Sequence, residues 1–282
     1  MMAHGQVEGF LSHPPPLKGT VLFLGAADTG KTFLSRQIAD RLLREGKTVC
    51  IVDLDVGQQS LALPATIAMR SLSSGDDPFS PSFERMIFIG ALSPMPRMER
   101  IVEGAIRLLS YARSDAVLVD TTGFVQGEDA RRFKLKKIEA IRPDVIIAIE
   151  RGEELEHILS RLEGLEVFTL RPSPKVRRRE REERQRLRRQ KFEAYFAQEA
   201  MGDYTLNLRD VKLFPDAFPV RGERGRLIGL NGETTLALGI LEAIEKDRIF
   251  FRSPIPSDKL KCVREIVLGD TGLLFEEGLS PM

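Results

Sequence analysis

Residues 25–32, Gly-Ala-Ala-Asp-Thr-Gly-Lys-Thr, spell GxxxxGKT between an apolar run and an amphipathic stretch. In that setting the N–H groups of a loop and of the helix it opens converge on phosphate oxygens. The lysine reaches the β- and γ-phosphates, and the threonine hydroxyl serves Mg²⁺. The cradle is assigned to Gly25, Ala26, Ala27, Asp28, Thr29, Gly30, Lys31, Thr32 and Phe33, with Lys31 also catalytic and Thr32 a metal ligand. A chance glycine-rich turn would lack the strand before it and the helix after it. A nucleoside triphosphate donor is therefore expected, with no adenine-reading motif in sight beyond the stretch Glu150 to Glu154.

Asp53 and Asp55 end the next apolar run, in Asp53-Leu54-Asp55-Val56-Gly57-Gln58. Strand ends in an open α/β sheet face the ligand crevice, so both carboxylates can meet the metal, its waters or an attacking hydroxyl. Asp55 is the candidate base and Asp53 the candidate partner of the metal; without the phosphate loop, a helix cap or solvated turn would explain them equally well. A third motif, Asp120-Thr121-Thr122-Gly123-Phe124, follows the run Ala116–Val119. Its DxxG spelling also fits a GTPase γ-phosphate loop, but no guanine-reading [NT]KxD follows. Phe124 then offers a face for stacking an acceptor base, with core packing as its plainer role.

Between Lys175 and Lys191 stand ten Lys or Arg against three Glu, which leaves 32 basic and 38 acidic residues for the rest of the chain. A concentrated basic segment on a mildly acidic protein is a local anion site. Arg184 and Arg188 are spaced i, i+4 and share a helix face, so they can reach one phosphate together. A salt-bridged solvated helix is the alternative, and an excess of seven charges exceeds what it needs. The segment 173–200 reads as a lid that supplies arginines or grips nucleic-acid phosphates.

Something must hold these groups. At 282 residues, 42% hydrophobic and 29% charged, the chain can bury one sizeable core and a second small one. Apolar runs alternating with amphipathic stretches through residue 170 predict an α/β fold with a parallel sheet. The expected strands are 20–24, 48–53, 86–89, 116–120, 144–149 and 166–170, with helices at 31–45, 98–113 and 153–163. Short strands at 226–230, 235–238, 248–251 and 265–268 predict a small β-rich C-terminal domain. The expected division is an extension over 1–18, a P-loop domain over 19–204 with its Arg-rich lid, and the β-rich domain over 205–282. Two scattered cysteines fit a reducing cytoplasm, and no apolar run approaches the roughly 18 residues that span a bilayer. No membrane association and no obligate protein partner are expected.

The ordered set GAADTGKT, DLDVGQ, GALSP, DTTGF, an Arg-rich helix ending in Tyr195-Phe196, and GRLIGLNGETTLALGIL resembles the polynucleotide 5′-hydroxyl-kinase family, RNA kinases related to those of tRNA splicing and pre-rRNA processing. The resemblance covers roughly residues 19–275. It implies transfer of the ATP γ-phosphate to a 5′-OH end of RNA or DNA with Mg²⁺. It assigns acceptor activation to Asp55, with Gln58 in the same motif, acceptor clasping to Thr121, Thr122, Gly123 and Phe124, and lid chemistry to Arg184 and Arg188. Arg177 and Arg181 offer an alternative lid register. The family's clasp aromatic is usually Trp, so Phe124 implies weaker stacking. The chain also starts almost at the first strand, so docking through an N-terminal β domain is not expected. A non-enzymatic ATP-binding RNA-processing scaffold and a GTPase-like switch remain as alternatives.

Overall fold

The computed structural model describes residues 2–12, 15–198, 201–215 and 224–270. The first part of the chain runs β1 (Met2–Gln6), α1 (Val7–Ser12), β2 (Gly19–Gly25), α2 (Lys31–Arg44), β3 (Val49–Asp53), β4 (Thr66–Leu72), β5 (Arg85–Phe88), α3 (Met98–Leu109), β6 (Ala116–Asp120), α4 (Glu128–Ile141), β7 (Val145–Ile149), α5 (Glu156–Leu159), β8 (Glu166–Arg171) and α6 (Arg181–Gln198). Its eight strands form one sheet in the order β1-β8-β7-β2-β6-β3-β4-β5. All neighbours are parallel except that β4 runs antiparallel to both β3 and β5. The sheet is thus mainly parallel, as expected, with antiparallel pairing confined to one edge.

Side chains alternate between the faces of a strand, and here both faces are covered, so the strands read as unbroken apolar runs. Val21 and Phe23 point into a cluster with α1, α2 and the end of α6, whereas Leu22 and Leu24 point into one with α3, α4 and α5. The segment 1–18, expected as an extension, carries β1, which adds to the sheet beside β8 from Met2–Val167 to Gln6–Arg171. Its sequence has no apolar alternation to announce a strand.

Two helices also depart from expectation. The one expected over 153–163 shrinks to the four residues of α5. Glu154 accepts the N–H groups of Arg151 and Gly152 at 2.8 and 2.7 Å, and this local side-chain pairing stabilises a loop in place of a helical turn. Conversely, α4 was not expected. Its buried face includes Lys134 and Lys137 beside Ala130, Phe133, Ile138 and Ile141, which breaks the apolar periodicity.

The remaining elements are β9 (Gly202–Asn207), β10 (Lys212–Phe214), β11 (Leu227–Asn231), β12 (Thr235–Glu245), β13 (Arg248–Ser253), α7 (Ser257–Leu260) and β14 (Glu265–Leu268). They form a second sheet ordered β10-β14-β11-β12-β13-β9. One face closes its own core around Leu230, Leu241 and Phe251, and the other packs Leu227, Leu238, Ile240 and Val267 into the first cluster of the main sheet. Phe88 N donates to Thr235 Oγ1 at 2.7 Å and Arg100 pairs with Glu265 at 2.7 Å, so the two sheets are joined by satisfied polar contacts as well as burial.

The two thiols sit in opposite environments. Cys50, fully buried in β3, is pushed up to about 12 by burial, while Cys262 is exposed. A thiol must ionise to react. With a disulfide reagent at pH 8 the native protein should therefore titrate one thiol, the second appearing only on unfolding. Two fast thiols in the native state would contradict the packing of β3.

Candidate functional site

The phosphate loop leaves the end of β2, and α2 begins at Lys31 after Gly30, whose φ of +91° is a left-handed conformation that glycine adopts without strain. The first turn of α2 directs its unpaired N–H groups out of the sheet edge, where an anion is favoured. Lys31 is 6% exposed, and its Nζ donates to Ala26 O at 2.7 Å. Burial pushes its pKa down, opposed by the charges of Asp120, Asp55, Asp28 and Asp53. Four carboxylates therefore favour keeping this ammonium charged.

Thr32 Oγ1 donates to Asp120 Oδ2 at 2.5 Å. Asp120 is the last residue of β6, directly beside β2, and its Oδ1 is buried without a hydrogen-bond partner. A carboxylate with one oxygen on the loop threonine and the other unsatisfied fits a group that faces a metal's water shell. Among the described residues no three His, Cys, Asp or Glu side chains converge on a common point. Such a site suits Mg²⁺, which takes few protein ligands and fills its shell with phosphate and water. Asp53, expected as the metal's partner, spends both of its oxygens on hydrogen bonds. Asp53 Oδ1 accepts Asp55 N at 2.9 Å, and Oδ2 accepts both Ser60 N at 2.7 Å and Ser60 Oγ at 2.6 Å. Its oxygens are thus committed to shaping the loop after β3. Burial, then the charges of Asp120 and Asp55, push its pKa up to about 7.

Asp55 accepts Gly57 N and Gln58 N at 2.9 and 3.0 Å through Oδ1 and lines the cleft in front of the phosphate loop. On the other side, Thr121 Oγ1 donates to Phe23 O at 2.7 Å. A Cβ on Gly123 would lie 2.3 Å from Ala27 N, so only glycine lets this second loop rest on the first. Lys134 fastens it, with Nζ donating to Thr121 Oγ1 at 2.9 Å and to Thr122 O at 2.5 Å. Lys137, one turn further on, is buried with its Nζ over the Phe133 ring, 4.3 Å from the centroid, and without a hydrogen-bond partner, and burial pushes it down to about 7. Sequence reasoning missed both lysines. Phe124 is half-buried against the cluster containing α3 and α4 and is not among the side chains lining the cleft.

Helix α6, the segment read as a lid, lines one side of the cleft. Phe192 and Phe196 bury its far end in the core, and Tyr195 Oη accepts Leu238 N at 3.0 Å. Arg184 and Arg188 of α6 line the cleft, with Lys191 further along the helix and Arg177 and Arg179 from the segment that precedes it. Arg184 pairs with Asp28 of the phosphate loop, Arg179 Nη1 donates to Gln58 Oε1 at 3.3 Å, and Arg188 Nη1 reaches Gly57 O at 3.5 Å. The cleft measures about 480 Å³ and is walled by Lys31, Thr32, Asp55, Gln58 and the lid cations. It joins the phosphate loop, a carboxylate and arginines in one space.

A sheet-edge glycine loop opening a helix, with its threonine on a strand-end aspartate, defines a P-loop nucleotide-binding protein. Residues 25–198 match the family described as mRNA cleavage and polyadenylation factor CLP1 P-loop, and the chain belongs to that family. It is 40% identical over 199 residues to the polyribonucleotide 5′-hydroxyl-kinase of Pyrococcus horikoshii, covering 68% of this chain and 53% of that protein. With the protein of the same name from Methanocaldococcus jannaschii it is 37% identical over 203 residues, 70% of this chain and 54% of that one. The chain thus spans about half the length of these curated relatives. Among solved structures, a complex of Clp1p with Pcf11p superimposes with a TM-score of 0.69 at 14% identity, covering 94% of this chain and 76% of that one, a likeness of fold. No described helix is long and apolar enough to cross a membrane.

The two carboxylates should separate in a Mg²⁺ titration of fluorescent ATP-analogue binding. Asp120→Asn should raise the Mg²⁺ concentration needed by about 10- to 100-fold, the usual cost of losing a metal's supporting carboxylate. Asp53→Asn should leave it within about twofold and instead lower thermal stability, by about 1–3 kcal/mol for a disturbed buried network. The reverse order would return the metal role to Asp53.

Proposed function

We propose that this chain is an ATP-dependent polynucleotide 5′-hydroxyl kinase, acting on RNA ends and also accepting DNA, in a reducing cytoplasmic setting. The observation that carries the reading is the shared cleft: Lys31 and Thr32 for the donor lie opposite Asp55, Gln58, Arg184 and Arg188. A scaffold that merely clamps ATP has no use for a carboxylate and two arginines beyond the phosphate loop. The names of the archaeal relatives support the same reading. The transfer unit is the first sheet with its lid, expected over 19–204 and 173–200; the β-rich unit, expected over 205–282, takes in β9 from Gly202 and packs one face of its sheet on the first core.

The 5′-hydroxyl oxygen attacks the γ-phosphorus, the bond from that phosphorus to the β,γ-bridging oxygen breaks, and ADP leaves. Asp55 accepts the hydroxyl proton. Lys31 and the α2 N-terminus hold the β- and γ-phosphates, and Thr32 with Asp120 holds the metal side. Bound Mg²⁺ supplies charge neutralisation for the triphosphate. Arg184 exchanges Asp28 for phosphate oxygens, and Arg188 joins it as charge spreads over the transferring group. Gln58 positions the acceptor, with the Thr121–Gly123 loop supporting the phosphate loop beside it. Little covalent chemistry is asked of the protein; positioning and charge do the work.

Incubation with γ-labelled ATP, Mg²⁺ and a 5′-OH oligoribonucleotide should place label on the oligonucleotide, and label in free phosphate alone would refute a kinase. Asp55→Asn should lower turnover by about 10²-fold or more, the reach of general-base assistance. Arg184→Ala and Arg188→Ala should reduce kcat more than they raise the acceptor KM, because their contacts strengthen in the transition state. A rise in KM with kcat preserved would make them nucleic-acid contacts alone.

A further inference from the structure

Six large apolar side chains are exposed among the described residues, and three of them gather at the mouth of the cleft. Phe33 is 56% exposed and lines the cleft together with Leu187 of the lid. Phe79, 46% exposed on the loop joining β4 to β5, stands against Phe33 with ring centroids 6.1 Å apart and planes inclined at 52°. Exposed aromatic rings have no reason to cluster beside guanidinium groups on a soluble surface unless something covers them. The same cleft presents Arg177, Arg179, Arg188 and Lys191. Aromatic faces flanked by a cationic groove are the chemistry that binds single-stranded nucleic acid, bases on the rings and phosphates on the cations.

Resting on the kinase reading above, we propose that Phe33 and Phe79 form a ledge on which a base of the acceptor strand stacks, just downstream of the reacting end. The side of the sheet decides between acceptor and donor. Phe33 lines the same cleft as Asp55, Gln58 and Ser60 of the loop after β3, and Phe79, in contact with it, belongs to the loop between β4 and β5, the strands at that edge of the sheet. The ends of β7 and β8 lie on the other side of β2, where a separate pocket with Glu150, Thr169 and Arg171 leaves room for the donor's base. Phe33 thus has two separable parts: its N–H belongs to the helix terminus facing the phosphates, and its ring faces the acceptor. The ledge also supplies the exposed aromatic surface that half-buried Phe124 lacks.

The test is binding and kinetics of Phe79→Ala and Phe79→Trp in the full chain. For a 5′-OH hexaribonucleotide, Phe79→Ala should weaken binding, read by anisotropy without ATP, by about 5- to 100-fold, the scale of one lost base stack. The KM for ATP, the KM for a nucleoside 3′-monophosphate acceptor and kcat should stay within about twofold. Phe79→Trp should restore oligonucleotide affinity. The chain has no tryptophan, so its fluorescence would report alone and should be quenched by the hexamer. Unchanged hexamer affinity in Phe79→Ala, or a rise confined to the KM for ATP, would overturn the ledge. Failure of the wild type to label any oligonucleotide would remove the kinase reading, while the anisotropy and quenching would still decide whether bases stack here.

Discussion

The hydrogen bond from Thr32 to Asp120 ties together everything the cleft requires. It joins the first turn of α2 to the end of β6, residues 88 positions apart in the chain. The parallel register that sets Leu22 against Val119 brings the two strand ends level, so the loop threonine meets the aspartate without distortion. A buried bond to a charged acceptor contributes about 1.5–3 kcal/mol, enough to fix the helix terminus against the sheet. The position of the phosphate N–H groups, of Lys31 and of the metal side follows from that anchor.

Charge balance is the second constraint. Asp53, Asp55 and Asp120 crowd the strand ends, and burial raises Asp53 and Asp120 further. Lys31, Arg36, Lys134 and Lys137 stand close enough to influence or be influenced by them, and each is itself pushed down by burial. A site with this many opposed charges in low dielectric is held by geometry, because moving any one group exposes the others to unpaired burial. The fastening of the Thr121–Gly123 loop by Lys134 and its rest on Ala27 are part of that geometry.

Much of this was legible before the fold, and the limits have physical causes. The phosphate loop is local, so spacing alone places Lys31 and Thr32. Strands buried on both faces announce themselves as apolar runs, and Ala116–Asp120 appears where it was read. Asp120 was visible as a strand-end residue, but its pairing depends on β6 lying beside β2, which no local pattern encodes. The bonds from Ser60 to Asp53 were not legible, because a serine seven residues on becomes a donor only when the loop folds back. Helix α4 stayed hidden because Lys134, which fastens the Thr121–Gly123 loop, and Lys137 occupy positions where periodicity demands apolar residues. Charge density and spacing singled out Arg184 and Arg188, but the pairing of Arg184 with Asp28, 156 residues away, was not legible.

The central claim is that one cleft holds donor and acceptor in line, with transfer in a single displacement and no phosphorylated protein between them. The most direct measurement is the configuration at phosphorus after transfer from ATP made chiral at its γ-thiophosphate with oxygen isotopes. A single in-line displacement predicts inversion in the 5′-thiophosphate product. Retention would require two displacements through a side chain of the protein, and would contradict the arrangement of Lys31, Asp55, Arg184 and Arg188 around one shared site.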